Sequence, residues 1–261
     1  MILDDILAAK RQEVEAAKQR LSFDELKRRV RRRAIPNRFR DALARSERRP
    51  ALIAELKRKS PSAGMLRERF DPVSLAQELQ DAGAAALSIL TDERFFGGNL
   101  DILRDVQPFV EIPVLRKDFV LDPYQLYEAA TAQADAVLLI VRVLTDEQLR
   151  VFLKTVMELG LDALVEVHAE QELDRALRAG ATLIGINHRD LGTFALDESL
   201  TARLMPQIPR GSVIVAESGM QTHDDIRQLK TLGVHAVLIG EALMTAPDVG
   251  IKVRELFDGI W

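Results

Sequence analysis

The sequence predicts an α/β chain that closes into a (β/α)8 TIM barrel with an N-terminal helical extension, and three observations carry that prediction. Eight short apolar runs rich in β-branched residues recur between position 51 and the C-terminus. Helix-patterned segments lie between them, several opening on Asp or Thr and closing on Gly, as helix caps require. The strand, loop and helix units repeat at intervals of roughly 20 to 33 residues, and eight of them match a closed parallel barrel joined by right-handed crossovers. An open doubly wound sheet is the competing fold. It would place a G-x-G-x-x-G turn after the first strand, where this chain has "KRKSPSAG".

The elements follow in order. Residues 1 to 48 read as helical, with "SFDELKRRV" setting a Ser N-cap before an amphipathic turn, and form an extension to the barrel of 49 to 261. The strands are "ALIAELK" from 51, "AALSILT" from 85, "IPVLRKDF" from 112, "DAVLLIV" from 135, "ALVEVH" from 163, "TLIGIN" from 182, "SVIVAES" from 212 and "AVLIGE" from 236. The helices between them include "DPVSLAQELQDAG", "DPYQLYEAATAQ", "TDEQLRVFLKTVMELG", "AEQELDRALRAG" and "THDDIRQLKTLG".

Composition narrows the function classes. With 261 residues, 47% of them hydrophobic, the chain can bury one large core, and with no cysteine it has neither disulfides nor thiolate metal sites. No apolar run reaches signal-peptide or membrane-spanning length, so a soluble, cytoplasmic protein is expected. Residues 1 to 49 hold 15 Lys and Arg against 8 Asp and Glu, whereas the remainder holds 21 against 32. The basic run "KRRVRRR" from 27 has no aromatic interleaving and no recognition motif, which argues for a solvated helix face, or an arm lying over an anion site, rather than nucleic-acid binding. No histidine shows metal-ligand spacing, and His168, His188, His223 and His235 are expected to be structural or exposed.

Charges cluster where a barrel does its chemistry, at the C-terminal ends of strands. The first strand ends in Glu55 and Lys57, the third in Lys117, the fifth in Glu166, the sixth in Asn187 and Arg189, and the seventh in Glu217 and Ser218. Alternation turns Ile53, Glu55 and Lys57 toward the barrel axis, and Leu52, Ala54 and Leu56 toward the helices. Burying an ion costs several kcal/mol unless it is paired, so this convergence points to a site for a charged substrate. Gly219 and Gly240 follow the last two strands, where barrels commonly hold phosphate. Phe96, after the second strand, is expected to wall the ligand, and Lys59 and Ser60 in the first loop to touch it.

The stretches "IAELKRKSPSAG", "LSILTDERFFGG", "VLRKDF", "LVEVH", "GINHRDL", "VAESGM" and "LIGEALM", with "FRDAL" in the extension, resemble the indole-3-glycerol phosphate synthase family of tryptophan biosynthesis. The resemblance covers the chain from about 50 to its end. It implies a barrel with helices over its mouth. The implied activity is a carboxy-lyase reaction that closes the pyrrole ring of 1-(2-carboxyphenylamino)-1-deoxyribulose 5-phosphate, without metal or organic cofactor.

Carried over by motif, Lys117 is the general acid, its pKa expected to be lowered by neighbouring cations and desolvation. Glu166 is the base and proton shuttle of the dehydration, in a site expected to raise its pKa. Lys57, oriented by Glu55, holds the substrate carboxylate; the motifs leave open how the two lysines divide the acid steps. Asn187 orients the substrate, Arg189 meets its anionic form or the carboxylates, and Glu217 and Ser218 match further site residues. Gly219, Gly240 and the backbone after it would hold phosphate with Ser60, the Glu241 side chain pointing away.

The other implied partner calls are a phosphorylated anionic small molecule, no nucleic acid, no membrane, and a monomer, with association with other tryptophan-pathway enzymes as a further expectation. Two rival readings stand against this one. Phosphoribosylanthranilate isomerase of the same pathway would build its acid and base pair around Cys and Asp, and this chain has no Cys. A non-catalytic barrel binding anions or nucleic acid through the basic arm would have no need of the complete charged set.

Overall fold

Eight parallel strands hydrogen-bond in a closed ring in this computed structural model, which describes residues 2–30 and 37–261. The strands are β1 (Ala51–Leu56), β2 (Ala86–Leu90), β3 (Val114–Lys117), β4 (Ala136–Ile140), β5 (Asp162–Val167), β6 (Leu183–Asn187), β7 (Val213–Glu217) and β8 (Ala236–Ile239). β1 pairs with both β2 and β8, which closes the barrel. All eight sequence-predicted strands are present.

The helices are α1 (Ile2–Arg20), α2 (Phe23–Arg29), α3 (Arg38–Ala44), α4 (Pro72–Asp81), α5 (Glu93–Phe96), α6 (Leu100–Val106) and α7 (Pro123–Thr131). They continue with α8 (Asp146–Leu159), α9 (Glu170–Arg178), α10 (Leu200–Leu204), α11 (His223–Leu232), α12 (Glu241–Met244) and α13 (Val249–Phe257). The predicted caps form. Asp71 accepts from the Ser74 N–H, and Thr145 and Gln148 make a reciprocal capping box at the start of α8. Gly160 ends α8 at φ 74°, the left-handed conformation that spares its carbonyls a lost partner. Ser22 caps α2 by accepting from the Glu25 N–H. Two features have no signature in the hydrophobic pattern: a two-residue hairpin, Lys59–Ser60 with Gly64–Met65, after β1, and the reduction of the helix after β6 to the short α10.

Alternation along the strands splits the core in two. Leu52, Ala54 and Leu56 pack outward among the helices, whereas Ala51 and Ile53 join Ala86, Leu115, Leu138, Leu164, Val215 and Leu238 inside the barrel. Inward positions change from apolar to polar toward the C-terminal ends, as from Ile53 to Glu55 and from Leu164 to Glu166. The interior is thus a packed floor under a polar mouth.

The extension does not all lie over that mouth. Phe39 and Leu43 of α3, from the "FRDAL" stretch, are fully buried in the interior cluster. α3 is fastened at the N-terminal ends of the strands, where the Phe39 and Arg40 N–H groups donate to Asp162 and Arg38 pairs with Asp135. It plugs the floor. α1 stands at the other end, its buried Lys10 reaching Asp92 and Asp118 just past β2 and β3. Of the basic run, Lys27 lies over the Phe23 ring at 4.1 Å and Arg29 pairs with Glu25, while positions 31 to 33 fall outside the described residues. Among the described residues no helix is long and apolar enough to cross a membrane.

Candidate active site

The strand ends and their loops line a concave cleft at the mouth, where a barrel of this kind places its ligand. Glu55, Lys57, Ser60, Phe96, Lys117, Glu166, Asn187, Arg189, Glu217, Ser218, Gly219, Gly240 and Glu241 all line it, so thirteen sequence-predicted residues meet in one place. Lys59 does not: its ammonium donates to the Arg94 carbonyl at 2.9 Å, tying the first loop to α5 instead of touching the cleft.

Lys117 is the centre of the charge arrangement. Its Nζ donates to Glu166 Oε2 at 2.8 Å and lies 3.1 Å from Glu217 Oε2 without hydrogen-bond alignment. Burial opposes the ammonium, but Glu166, Glu217 and Glu55 outweigh it and raise its pKa. The expectation of a pKa lowered by neighbouring cations is therefore reversed, because the neighbours are carboxylates. Beside it, Lys57 Nζ sits 2.8 Å from Glu55 Oε1.

The two carboxylates around Lys117 are driven apart. For Glu166, burial pushes the pKa up, yet Lys117 and His168 together pull it below the usual carboxylate range, the opposite of the sequence expectation. Glu217 is the raised one, pushed up to about 8 by burial and by the Glu166 charge, despite Lys117. Two carboxylates around one ammonium cannot both be fully compensated, so one holds the charge and the other tends to hold a proton.

Glu217 thereby makes stability depend on pH. Below the unfolded value of 4.5, Glu217 is neutral whether folded or not, and its contribution is fully present; as pH rises through about 8 the folded site must accept the charge and the contribution is lost. Glu217→Gln removes that loss. The variant is expected to melt higher than the parent at pH 9 and at nearly the same temperature at pH 4.5; thermal melts showing no pH-dependent difference would overturn the assignment.

The Glu241 carboxylate lies 3.8 Å from the Arg189 guanidinium. Arg189 also donates to the Phe194 carbonyl, and Asn187 Oδ1 accepts from the Arg189 N–H, fixing the turn after β6. Ser218 adopts φ 68° and Gly219 φ 90°, so the chain leaves β7 through two left-handed residues that bring its backbone to the cleft. The buried His188 holds that turn, with one ring nitrogen 3.2 Å from the Ser218 carbonyl and the other 2.7 Å from the Thr201 hydroxyl.

Several site residues escaped the sequence reading. Gly185, inside β6, is needed because a Cβ there would fall 2.1 Å from Glu217 Oε1; a glycine within a strand is the available signal of such a close approach. A Cβ on Gly240 would likewise fall 2.5 Å from Glu55 Oε1, so that glycine makes room for a carboxylate whatever else it does. Phe119, Leu191 and Phe194 add apolar wall, and the Phe119 ring lies 6.2 Å from that of Phe96. His168 is neither exposed nor apart from carboxylates: its ring nitrogens lie 3.3 Å from Glu166 and 3.2 Å from Glu172.

Comparison with known proteins places this geometry. The family model described as indole-3-glycerol phosphate synthase matches residues 3–256. The indole-3-glycerol phosphate synthase of Carboxydothermus hydrogenoformans is 44% identical over 262 residues, covering 98% of this chain and 99% of the relative. That of Desulforamulus reducens is 46% identical over 257 residues, covering 98% and 97%. Among solved structures, the thiamine phosphate pyrophosphorylase from Pyrococcus furiosus superposes with a TM-score of 0.60 at 16% identity, over 82% of this chain and 96% of the other; the likeness is of fold alone. A match that spans the sequence from the first helix to the last, at such identity, shows that the chain belongs to the indole-3-glycerol phosphate synthase family.

Proposed function

We propose that this chain converts 1-(2-carboxyphenylamino)-1-deoxyribulose 5-phosphate to indole-3-glycerol phosphate, carbon dioxide and water, with its own acids and bases performing each proton transfer. The observation that carries the reading is the Lys117 ammonium held between Glu166 and Glu217, beside the Glu55 and Lys57 pair, in an apolar-walled cleft.

In the first step the aromatic carbon bearing the carboxylate bonds to the ketone carbon, and the ketone oxygen takes a proton from Lys117. The carboxylates around it stabilise the ammonium, so it gives up its proton only as negative charge develops on that oxygen. Breaking the bond to the carboxylate then releases carbon dioxide and restores the aromatic ring. In the last step Glu166 takes a proton from the methylene beside nitrogen and delivers it to the departing hydroxyl, giving water and the pyrrole. One proton is drawn from solvent, since the carboxylate leaves as neutral carbon dioxide.

Lys57, braced by Glu55, holds the substrate carboxylate, Asn187 orients the substrate by hydrogen bonding, and Arg189 stabilises its anionic form or pairs with the carboxylates. Ser60, Gly219 and the backbone from Gly240 to Glu241 hold the phosphate, with Ser218 beside them. A largely protonated Glu217 lessens the repulsion that a substrate bearing both a carboxylate and a phosphate would meet. Residues 1 to 48 act as an extension of one structural domain, and the chain works as a cytoplasmic monomer. Mixing purified protein with the ribulose phosphate and following indole fluorescence tests the reading. A rise in indole signal is expected; its absence from folded protein overturns the assignment.

A further inference from the structure

His168 sits just past β5, two residues beyond Glu166, with its side chain almost wholly shielded from solvent. Its Nε2 lies 3.3 Å from Glu166 Oε1, the oxygen that Lys117 leaves free, in an ion-pair approach without hydrogen-bond alignment, and its Nδ1 lies 3.2 Å from Glu172 Oε2. The chain of partners continues outward. Glu172 Oε2 also accepts from the His168 N–H at 2.7 Å, and its Oε1 accepts from Arg142 Nε at 2.8 Å. Arg142 donates in turn to Asp190 Oδ2 at 2.6 Å. Asp190 Oδ1 accepts from the N–H groups of Gly192 and Thr193, fixing the loop that follows Arg189 and carries Leu191 and Phe194 into the cleft.

We propose that His168 is a positioning residue: as an imidazolium clamped between Glu166 and Glu172, it holds the Glu166 carboxylate ionised and aimed at Lys117. The same clamp ties that carboxylate, through Arg142 and Asp190, to the loop beside Arg189. A buried imidazole that faces a carboxylate from each nitrogen compensates both charges only when both nitrogens carry protons. Burial opposes the charge, but Glu166 and Glu172 outweigh it and raise the imidazole pKa to about 9. The groups facing Glu166 are Lys117 from β3, Glu217 from β7 and His168 itself; those facing His168 are Glu166 and, from α9, Glu172, with Arg142 behind it.

The inference rests on the reading of Glu166 as base, and the test separates the two. If the parent protein makes no indole-3-glycerol phosphate, that reading fails first; if the parent is active, the variants decide. His168→Gln removes the cation, so the acidic limb of the kcat profile is expected to move up by about one pH unit or more. Misaiming the base is expected to lower kcat about tenfold or more. KM should stay near the parent value, because the substrate's charged groups are held elsewhere. Glu172→Gln removes one of the two carboxylates that keep the imidazole charged. It is expected to match the parent near pH 6 and to fall behind it near pH 8.5.

Nitrogen NMR of the parent with labelled histidine supplies a readout apart from activity, and is expected to show both His168 nitrogens protonated at pH 7.5. A neutral imidazole in that spectrum, or profiles of both variants that coincide with the parent's, would overturn the inference. Should His168→Gln fail to fold, the Glu172→Gln profile and the parent spectrum decide the question.

Discussion

Replacing Lys117 with alanine is expected to lower kcat by about two orders of magnitude or more, the range associated with a general acid. The effect has two sources in the geometry. The proton donor to the ketone oxygen is lost, and Glu166 and Glu217 are left as two buried carboxylates without the ammonium that lies 2.8 Å and 3.1 Å from them. The pair then retains a shared proton to higher pH, so Glu166 is no longer the ionised base that dehydration requires. The deficit should therefore be larger at pH 6 than at pH 9. Steady-state rates across that range check it, and a variant that keeps parental kcat would remove Lys117 from the chemistry.

The largest effect on stability is expected at Lys10, which lies outside the sequence stretches that the motifs single out. Its ammonium is almost wholly buried, 3.2 Å from Asp92, 2.9 Å from Asp118 and 2.7 Å from Glu13. Asp118 is itself held by Arg116 at 3.0 Å and by the Thr91 hydroxyl, so one lysine of α1 completes an ionic cluster built on the ends of β2 and β3. Removing one partner of a buried pair strands the others. Lys10→Met is expected to destabilise by about 3 to 5 kcal/mol. For a chain of this size that corresponds to a melting temperature lower by roughly 6 to 20 °C. If α1 detaches before the barrel unfolds, part of the loss instead shows as faster amide exchange confined to α1. Parental melting together with parental exchange would contradict the role of the cluster.

The barrel was legible because its signals are local and repeated. Alternation in "ALIAELK" fixed which residues of β1 face the axis, and Asp, Thr and Gly at segment ends fixed where helices such as α4 and α8 begin and stop. The candidate site was legible for a related reason: strand ends are read from the pattern, and a closed barrel brings all its strand ends to one mouth. That is why Glu55, Lys117, Glu166, Asn187 and Glu217 could be grouped although they lie far apart in the chain. The extension was read less well. Nothing in the spacing of Phe39 and Leu43 says that they plug the floor while α1 stands at the mouth, because each helix only presents an apolar face and the cavity it fills is made by other strands.

The sequence by itself determined the alternation of strands and helices, the closure into eight units and the residue types that converge at the mouth. Tertiary structure alone decided their protonation. The sequence reading expected a Lys117 with lowered pKa and a Glu166 with raised pKa, whereas the folded site stabilises the ammonium, holds Glu166 ionised and leaves Glu217 as the carboxylate that is slow to lose its proton. The reason is physical: a residue's type sets its reference pKa, but the shift depends on distances of about 3 Å to charges on other strands and on the loss of water around them. The same holds for His168, whose partners Glu166 and Glu172 become its neighbours only when β5 and α9 fold together.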